Sequence, residues 1–217
     1  MVYKAVIFDL DGTLLDALQD IADSYNAALE KLGFPGHDMQ AYRYFVGEGA
    51  PVTAFKVLPE LFRNQDTVNQ LLTCMDKEYS MRWAVHTKPY LGIPELLDAL
   101  VAKDIKMAVL SNKQHEFIVA QVEKLLSHWN FAMVIGASGA MPRKPDPTGA
   151  LDIAEKLRVR PMDFLYLGDT VIDMQTATAA GMYPVGVLWG FRTDNELLAG
   201  GARTLIKYPM DLLALLS

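Results

Sequence analysis

Asp9 and Asp11 stand one residue apart where the apolar run Ala5-Val-Ile-Phe8 ends, and Gly12 and Thr13 follow them. Two carboxylates this close repel one another and sit poorly in a strand interior. A divalent cation is the simplest group that offsets the repulsion. Gly12 lets the backbone turn sharply and approach a ligand. Thr13 adds a hydroxyl beside loop N–H groups that can cradle an oxyanion. The same letters also suit an ordinary strand-to-loop turn, so the chemistry depends on what the rest of the chain brings to this point.

Three later apolar runs end in comparable groups. Residues 106–110 lead into Ser111-Asn112-Lys113, residues 131–135 lead through Gly136 to Arg143-Lys144-Pro145-Asp146-Pro147, and residues 164–167 end in Gly168-Asp169-Thr170 with Asp173 following. Each has a plain reading by itself. Ser-Asn caps a helix, a lysine is usually solvated, and aspartates favour a helix N-terminus. The prolines around Lys144 favour a fixed loop. In an open parallel sheet, ligands bind beyond the carboxyl ends of the strands. If these runs are strands of one sheet, all four ends meet at one edge. Third and fourth carboxylates there are strongly unfavourable without a metal.

The elements that must position these groups follow from periodicity. Apolar runs at 5–8, 106–110, 131–135, 164–167, 184–188 and 204–206 read as strands. They alternate with helical patterns at 93–103, 115–126, 148–157, 171–180 and 195–199. Such alternation implies right-handed crossovers, hence an α/β fold with a doubly wound parallel sheet. Residues 16–32, 39–45, 50–57 and 65–84 read as helices with no strand between them. The expected organisation is therefore a core of residues 1–14 and 89–217, interrupted by a helical insertion of residues 15–88. The closing Leu-Leu-Ala-Leu-Leu reads as a docked terminal helix.

Composition excludes several classes. Of 217 residues 51% are hydrophobic and 21% charged, which suits a globular protein with a real core rather than a disordered chain. A net charge of −6 argues against a nucleic-acid or anionic-membrane surface. Cys74 is the single cysteine, so no internal disulfide forms, which suits a reducing compartment; among Leu71, Leu72 and Met75 it reads as a small buried hydrophobe. His37, His86, His115 and His128 are too scattered for zinc-ligand spacing. The N-terminal apolar run is short for a signal peptide, and no stretch approaches a membrane span. A cytoplasmic protein is expected, working as a monomer or homodimer.

The ordered set Asp9-x-Asp11-Gly12-Thr13, Ser111, Lys144 and Gly168-Asp169-x-x-x-Asp173 resembles the four motifs of the haloacid dehalogenase (HAD) superfamily of phosphatases. The helical insertion resembles the cap of one branch. Asp9 to Asp16, the stretch Lys88-Pro-Tyr-x-Gly-Ile-Pro-Glu-Leu-Leu97 and Ser111-Asn-Lys are most similar to phosphoglycolate phosphatase-like members. Two positions depart from that pattern: Ala17 stands where many relatives have Ser, and Leu91 where a second Pro is common.

The resemblance implies a Mg²⁺-dependent phosphatase for a small phosphorylated metabolite, foremost 2-phosphoglycolate. It implies Asp9 as nucleophile forming an aspartyl-phosphate, and Asp11 as general acid and base. Asp9, the Asp11 carbonyl and Asp169 would hold Mg²⁺, with Asp173 supporting them. Thr13, Ser111, Lys144 and the N–H of Asn112 would hold phosphate oxygens. Asp11 speaks against a dehalogenase or a phosphonatase, whose relatives lack this acid. A sugar phosphatase, a pyrophosphatase or a phosphoglucomutase stays open within the superfamily. So do a phospho-aspartate signalling domain and a non-catalytic binding protein outside the enzyme reading. In the cap, Gly47-Glu48-Gly49 is a candidate substrate-facing turn, equally readable as a helix break. Arg43 and Lys56 flank it as candidate cations for a substrate carboxylate.

Overall fold

The computed structural model describes residues 3–139 and 141–216. Of the core expected over residues 1–14 and 89–217, Met1, Val2, Ala140 and Ser217 therefore lie outside the described residues. Six parallel strands form one sheet: β1 (Ala5–Phe8), β4 (Lys106–Gln114), β5 (Met133–Ala137), β6 (Phe164–Gly168), β7 (Tyr183–Val187) and β8 (Thr204–Ile206), in the order β5-β4-β1-β6-β7-β8. Chain order reverses at β1, which pairs with β4 on one side and β6 on the other. That reversal is the switch point at which such sheets open a crevice.

Side chains of β1 alternate between two buried layers, as strand geometry requires. Val6 and Phe8 join Leu96, Leu97 and Leu100 of α5 (Ile93–Ala102) and Ile118 of α6 (His115–Leu125). Ala5 and Ile7 join Ala150 and Ile153 of α7 (Thr148–Leu157) and Ala177 of α8 (Val171–Ala179). All four β1 side chains are fully buried. Full burial of a residue such as Phe8 contributes roughly 1.5–3 kcal/mol, which is why so short a strand is held firmly. A short helix α9 (Asp194–Gly200) links β7 to β8. The chain closes in a 3₁₀ helix, Pro209–Leu215, where a helix is expected from the leucines; Leu212 is buried and the segment packs on α5.

Four helices lie between β1 and α5: α1 (Leu18–Lys31), α2 (Met39–Phe45), α3 (Ala50–Val57) and α4 (Gln65–Arg82). They share a separate apolar cluster that includes Ile21, Tyr25, Tyr42, Leu71 and Tyr79. The insertion leaves and returns through a two-residue antiparallel ladder, β2 (Leu15–Asp16) with β3 (Lys88–Pro89). Above it the buried Asp20 carboxylate accepts from the N–H groups of Val85, His86 and Thr87 and from the Thr87 hydroxyl at 2.6 Å. Two-residue strands carry no readable periodicity, so neither strand of this ladder is expected from sequence.

One boundary differs in a way that matters for the site. Strand β4 does not stop at Leu110. It continues past a register shift to Gln114, which pairs with Ala137. Ser111, Asn112 and Lys113 therefore belong to the strand rather than to the loop after it, and the sheet backbone fixes their positions. Among the described residues no helix is long and apolar enough to cross a membrane.

Candidate active site

The carboxyl ends of β1, β4 and β6 meet at the switch point. Gly12 adopts φ +89°, and a Cβ there would lie 2.3 Å from Oδ2 of Asp169. Only glycine lets the β1 loop come so close to the end of β6. Thr13 donates from Oγ1 to Asp169 Oδ1 at 3.2 Å, and the Phe191 N–H donates to Asp169 Oδ2 at 2.8 Å. Thr170 opens α8 with a capping box, its hydroxyl donating to Asp173 Oδ2 at 2.6 Å.

Asp9, Asp169 and Asp173 each offer an oxygen within 4.8 Å of the others, all three buried. Lys144, itself buried, is the cation set against them, 2.9 Å from Asp9 Oδ1 and 2.6 Å from Asp173 Oδ1. Although Asp9 Oδ1 lies close to Lys144, it accepts no hydrogen bond. Burial raises Asp9 to about 6, with Lys144 opposing the rise and Asp173 adding to it. Asp169 is raised well above the ordinary carboxylate range, by burial first and then by Asp9 and Asp173. For Lys144, burial acts downward, but Asp173 and Asp9 outweigh it and hold the ammonium well above the ordinary lysine value. With all three carboxylates ionised against one ammonium, two negative charges would stand unbalanced in a buried site, which is why Asp9 and Asp169 hold their protons more tightly without a cation. An all-oxygen set with an unsatisfied oxygen and that residual charge fits a hard divalent cation such as Mg²⁺.

Asn112 holds the neighbouring segments in register. Its amide donates to the carbonyls of Lys144 (3.0 Å) and Gly47 (3.2 Å) and accepts from the Lys144 N–H (2.8 Å). The phosphate-binding candidates Thr13, Ser111, Asn112 and Lys144 are all buried at this edge. A cavity of about 90 Å³ opens above Asp9, Asp11 and Ser111 and is roofed by the helical insertion. Its walls are mainly apolar, with Ile21, Tyr25, Val46 and Phe117 among them.

The candidate cap residues separate. Gly47 and Gly49 line the cavity, and a Cβ on Gly49 would sit 3.1 Å from the Asn112 carbonyl, so this turn docks directly on the core. Glu48 pairs with Lys56 at 2.6 Å, and neither lines the cavity. Arg43 also lies outside its walls and donates to the carbonyls of Gly190 and Phe191.

Lys113 has no expected role in the sequence, yet it is the one cation among the described residues that line the cavity. Its Nζ donates to both oxygens of Asp11, at 2.9 and 2.8 Å, and lies 4.8 Å from the centre of the Tyr79 ring. Burial pulls its pKa down, but Asp11 and Tyr79 outweigh that and raise it overall. The adjacency of Lys113 to Ser111 and Asn112 becomes informative only once β4 is seen to continue to Gln114, which gives the side chain a fixed direction. Asp76 also lines the cavity, raised by burial and held by Gln114 Nε2 at 3.1 Å.

A sequence profile of haloacid dehalogenase-like hydrolases matches residues 6–187. The chain is 33% identical over 193 residues to a phosphoglycolate phosphatase of Aquifex aeolicus, covering 89% of this chain and 88% of that one. It is 33% identical over 211 residues to a phosphoglycolate phosphatase of Xylella fastidiosa, covering 95% and 90%. A crystal structure from Lactobacillus delbrueckii subsp. bulgaricus superposes with a TM-score of 0.94 at 30% identity, covering 100% of this chain and 99% of that one.

Proposed function

Because the chain belongs to the haloacid dehalogenase-like hydrolases and is a phosphatase of that family, we propose that it hydrolyses 2-phosphoglycolate in the cytoplasm through an aspartyl-phosphate on Asp9. The observation that carries this reading is the placement of Asp9 and Asp11 together at the floor of a small roofed cavity, with Lys144, Asp169 and Asp173 gathered behind Asp9. The named relatives supply the substrate. Residues 15–88 act as a cap over a core of residues 1–14 and 89–217.

Asp9 attacks phosphorus and the ester oxygen departs with a proton from Asp11. Asp11 then takes a proton from the water that cleaves the acyl-phosphate, which returns Asp11 to its acid form and Asp9 to its carboxylate. Lys144 sits against Asp9 and tempers the repulsion between that carboxylate and an incoming phosphate. Ser111, Thr13 and the Asn112 N–H hold phosphate oxygens. Asp9, Asp169, Asp173 and the Asp11 carbonyl would hold Mg²⁺, which supplies charge neutralisation at the phosphoryl group. The apolar roof excludes bulk water while the ester is cleaved.

The test is phosphate release with Mg²⁺ from a panel of 2-phosphoglycolate, sugar phosphates, nucleotides and pyrophosphate. Preference for 2-phosphoglycolate, lost with EDTA and in Asp9→Asn, is the expected result. Preference for another member of the panel overturns the substrate, and turnover surviving in Asp9→Asn overturns the nucleophile.

A further inference from the structure

We propose that Lys113 is the specificity-determining residue of this site: its ammonium takes the carboxylate of the leaving alcohol and restricts the enzyme to phosphate esters of 2-hydroxy acids. The inference rests on the phosphatase reading above and concerns how the substrate is chosen.

A lysine ammonium has three N–H donors. Two of those on Lys113 reach the two oxygens of Asp11. The third lies between the Tyr79 side chain, which also interacts with the ammonium, and the cavity that Lys113 lines, where a ligand carboxylate is a stronger acceptor than a phenol. Of the cations that the inserted helices carry near the roof, Arg43 is held on backbone carbonyls and Lys56 on Glu48, and Arg143 of the core lies beside Gly49 but outside the cavity walls. An anionic leaving group thus has one cationic partner among the described residues lining the cavity. Around it stand Val46, Met75, Phe117 and Phe191, where little water competes for the charge. The acid in the same cavity, Asp76, is held by Gln114.

Distance selects the substrate class. Asp11 must reach the ester oxygen in order to protonate it. Lys113 lies within 2.9 Å of Asp11, so it meets an anion placed close to that oxygen. In a 2-hydroxy acid ester a single carbon separates the ester oxygen from the carboxylate. Longer acids carry the charge past Lys113 towards apolar walls, and neutral alcohols leave the ammonium with no new partner.

The discriminating experiment compares 2-phosphoglycolate with 2-hydroxyethyl phosphate, which replaces the carboxylate by a neutral alcohol, in wild type, Lys113→Met and Lys113→Arg. Wild type is expected to favour 2-phosphoglycolate in kcat/KM by roughly 10- to 100-fold, the worth of a hydrogen bond to a charged group. In Lys113→Met the ratio should fall to within about threefold, mostly through KM, and Lys113→Arg should restore part of it. Lys113→Gln carries the same comparison if the methionine variant does not fold. A ratio that persists in the uncharged variants, even with kcat lowered for both esters, would reduce Lys113 to a support for Asp11 and overturn the proposal while leaving 2-phosphoglycolate as substrate. Equal hydrolysis of both esters by wild type would overturn the proposal and the substrate together.

Discussion

Arg192 holds the backbone of Arg43 across the seam between the helical insertion and the core, and Arg43 holds the backbone just before Arg192. Arg43 donates to the carbonyls of Gly190 and Phe191, while Arg192 donates to the carbonyl of Arg43 and, at 3.1 Å, to that of Val46. The guanidinium of Arg192 also stacks over Tyr44 at 5.4 Å. The protein's own groups make every one of the contacts in this clasp, which gives the closed arrangement support of its own. Arg192→Ala removes one side of the clasp, two charge-assisted hydrogen bonds, and is expected to raise KM at least about tenfold, with little change in melting temperature. Steady-state kinetics beside a thermal melt checks this, and an unchanged KM would mean that closure depends on other contacts.

Asp20 ties the returning end of the insertion to α1. Its carboxylate serves three backbone N–H groups and one hydroxyl, all within 3.1 Å. Asp20→Ala leaves these donors without a partner and is expected to destabilise the protein by about 2–4 kcal/mol. Urea denaturation measures this directly; a loss below about 0.5 kcal/mol would show that water replaces the carboxylate.

The acidic cluster predicts how stability depends on pH. Burial raises Asp9 to about 6 and Asp169 well above the ordinary range. The folded metal-free protein therefore keeps protons that the unfolded chain releases above about pH 4. This contribution to stability is fully present below that pH and is lost as pH rises through the folded values. Metal-free wild type should lose melting temperature between pH 5 and pH 7.5 relative to Asp9→Asn, and Mg²⁺ should restore it at pH 7.5. Parallel melting curves for the two proteins would contradict the buried charge of Asp9.

Gly12→Ala tests the contact between the β1 loop and the end of β6. The added methyl would stand 2.3 Å from Asp169 Oδ2 at a backbone φ of +89°. A cost of about 1–3 kcal/mol from the strained backbone is expected, together with weaker Mg²⁺ binding because Asp169 must move. Calorimetric titration with Mg²⁺ reads the second effect, and wild-type affinity would place the ion away from Asp169.

Asp11→Asn separates proton donation from phosphoryl transfer. Alkyl esters should lose about 10²- to 10⁴-fold in kcat. For p-nitrophenyl phosphate, whose leaving group departs without a proton, the first step should lose much less. Burst and steady-state phases distinguish the steps, and equal loss of the burst with both leaving groups would argue against Asp11 as the acid.

Much of this architecture is written locally in the sequence. Asp9, Asp169 and Asp173 are legible because each follows a short run of apolar and aromatic residues that already marks a strand, and a parallel sheet brings such ends together. Strand β4 is less legible, since Ser111-Asn-Lys-Gln carries no apolar pattern and extends only because β5 offers partners beyond the register shift. Lys113 remains hidden for that reason: in a loop its side chain would have no fixed direction, whereas in the strand it meets Asp11. Arg43 and Lys56 are prominent by type and position, but tertiary packing decides where long side chains point, and it sends both away from the cavity. Asp20 looks like one more acid on a helix until the return segment supplies its donors.

The ladder of Leu15-Asp16 with Lys88-Pro89 places both ends of the insertion side by side. From the core, the whole excursion is then equivalent to a hairpin turn, and the entropy of closing it at the ladder grows only slowly with the length beyond. What lies beyond the ladder can vary in length at little entropic cost while the sheet sets the spacing of Asp9 and Asp169. Heredity divides accordingly: the shape of the roof can drift in the inserted module, while the chemical step and the Lys113 ammonium stay with the sheet.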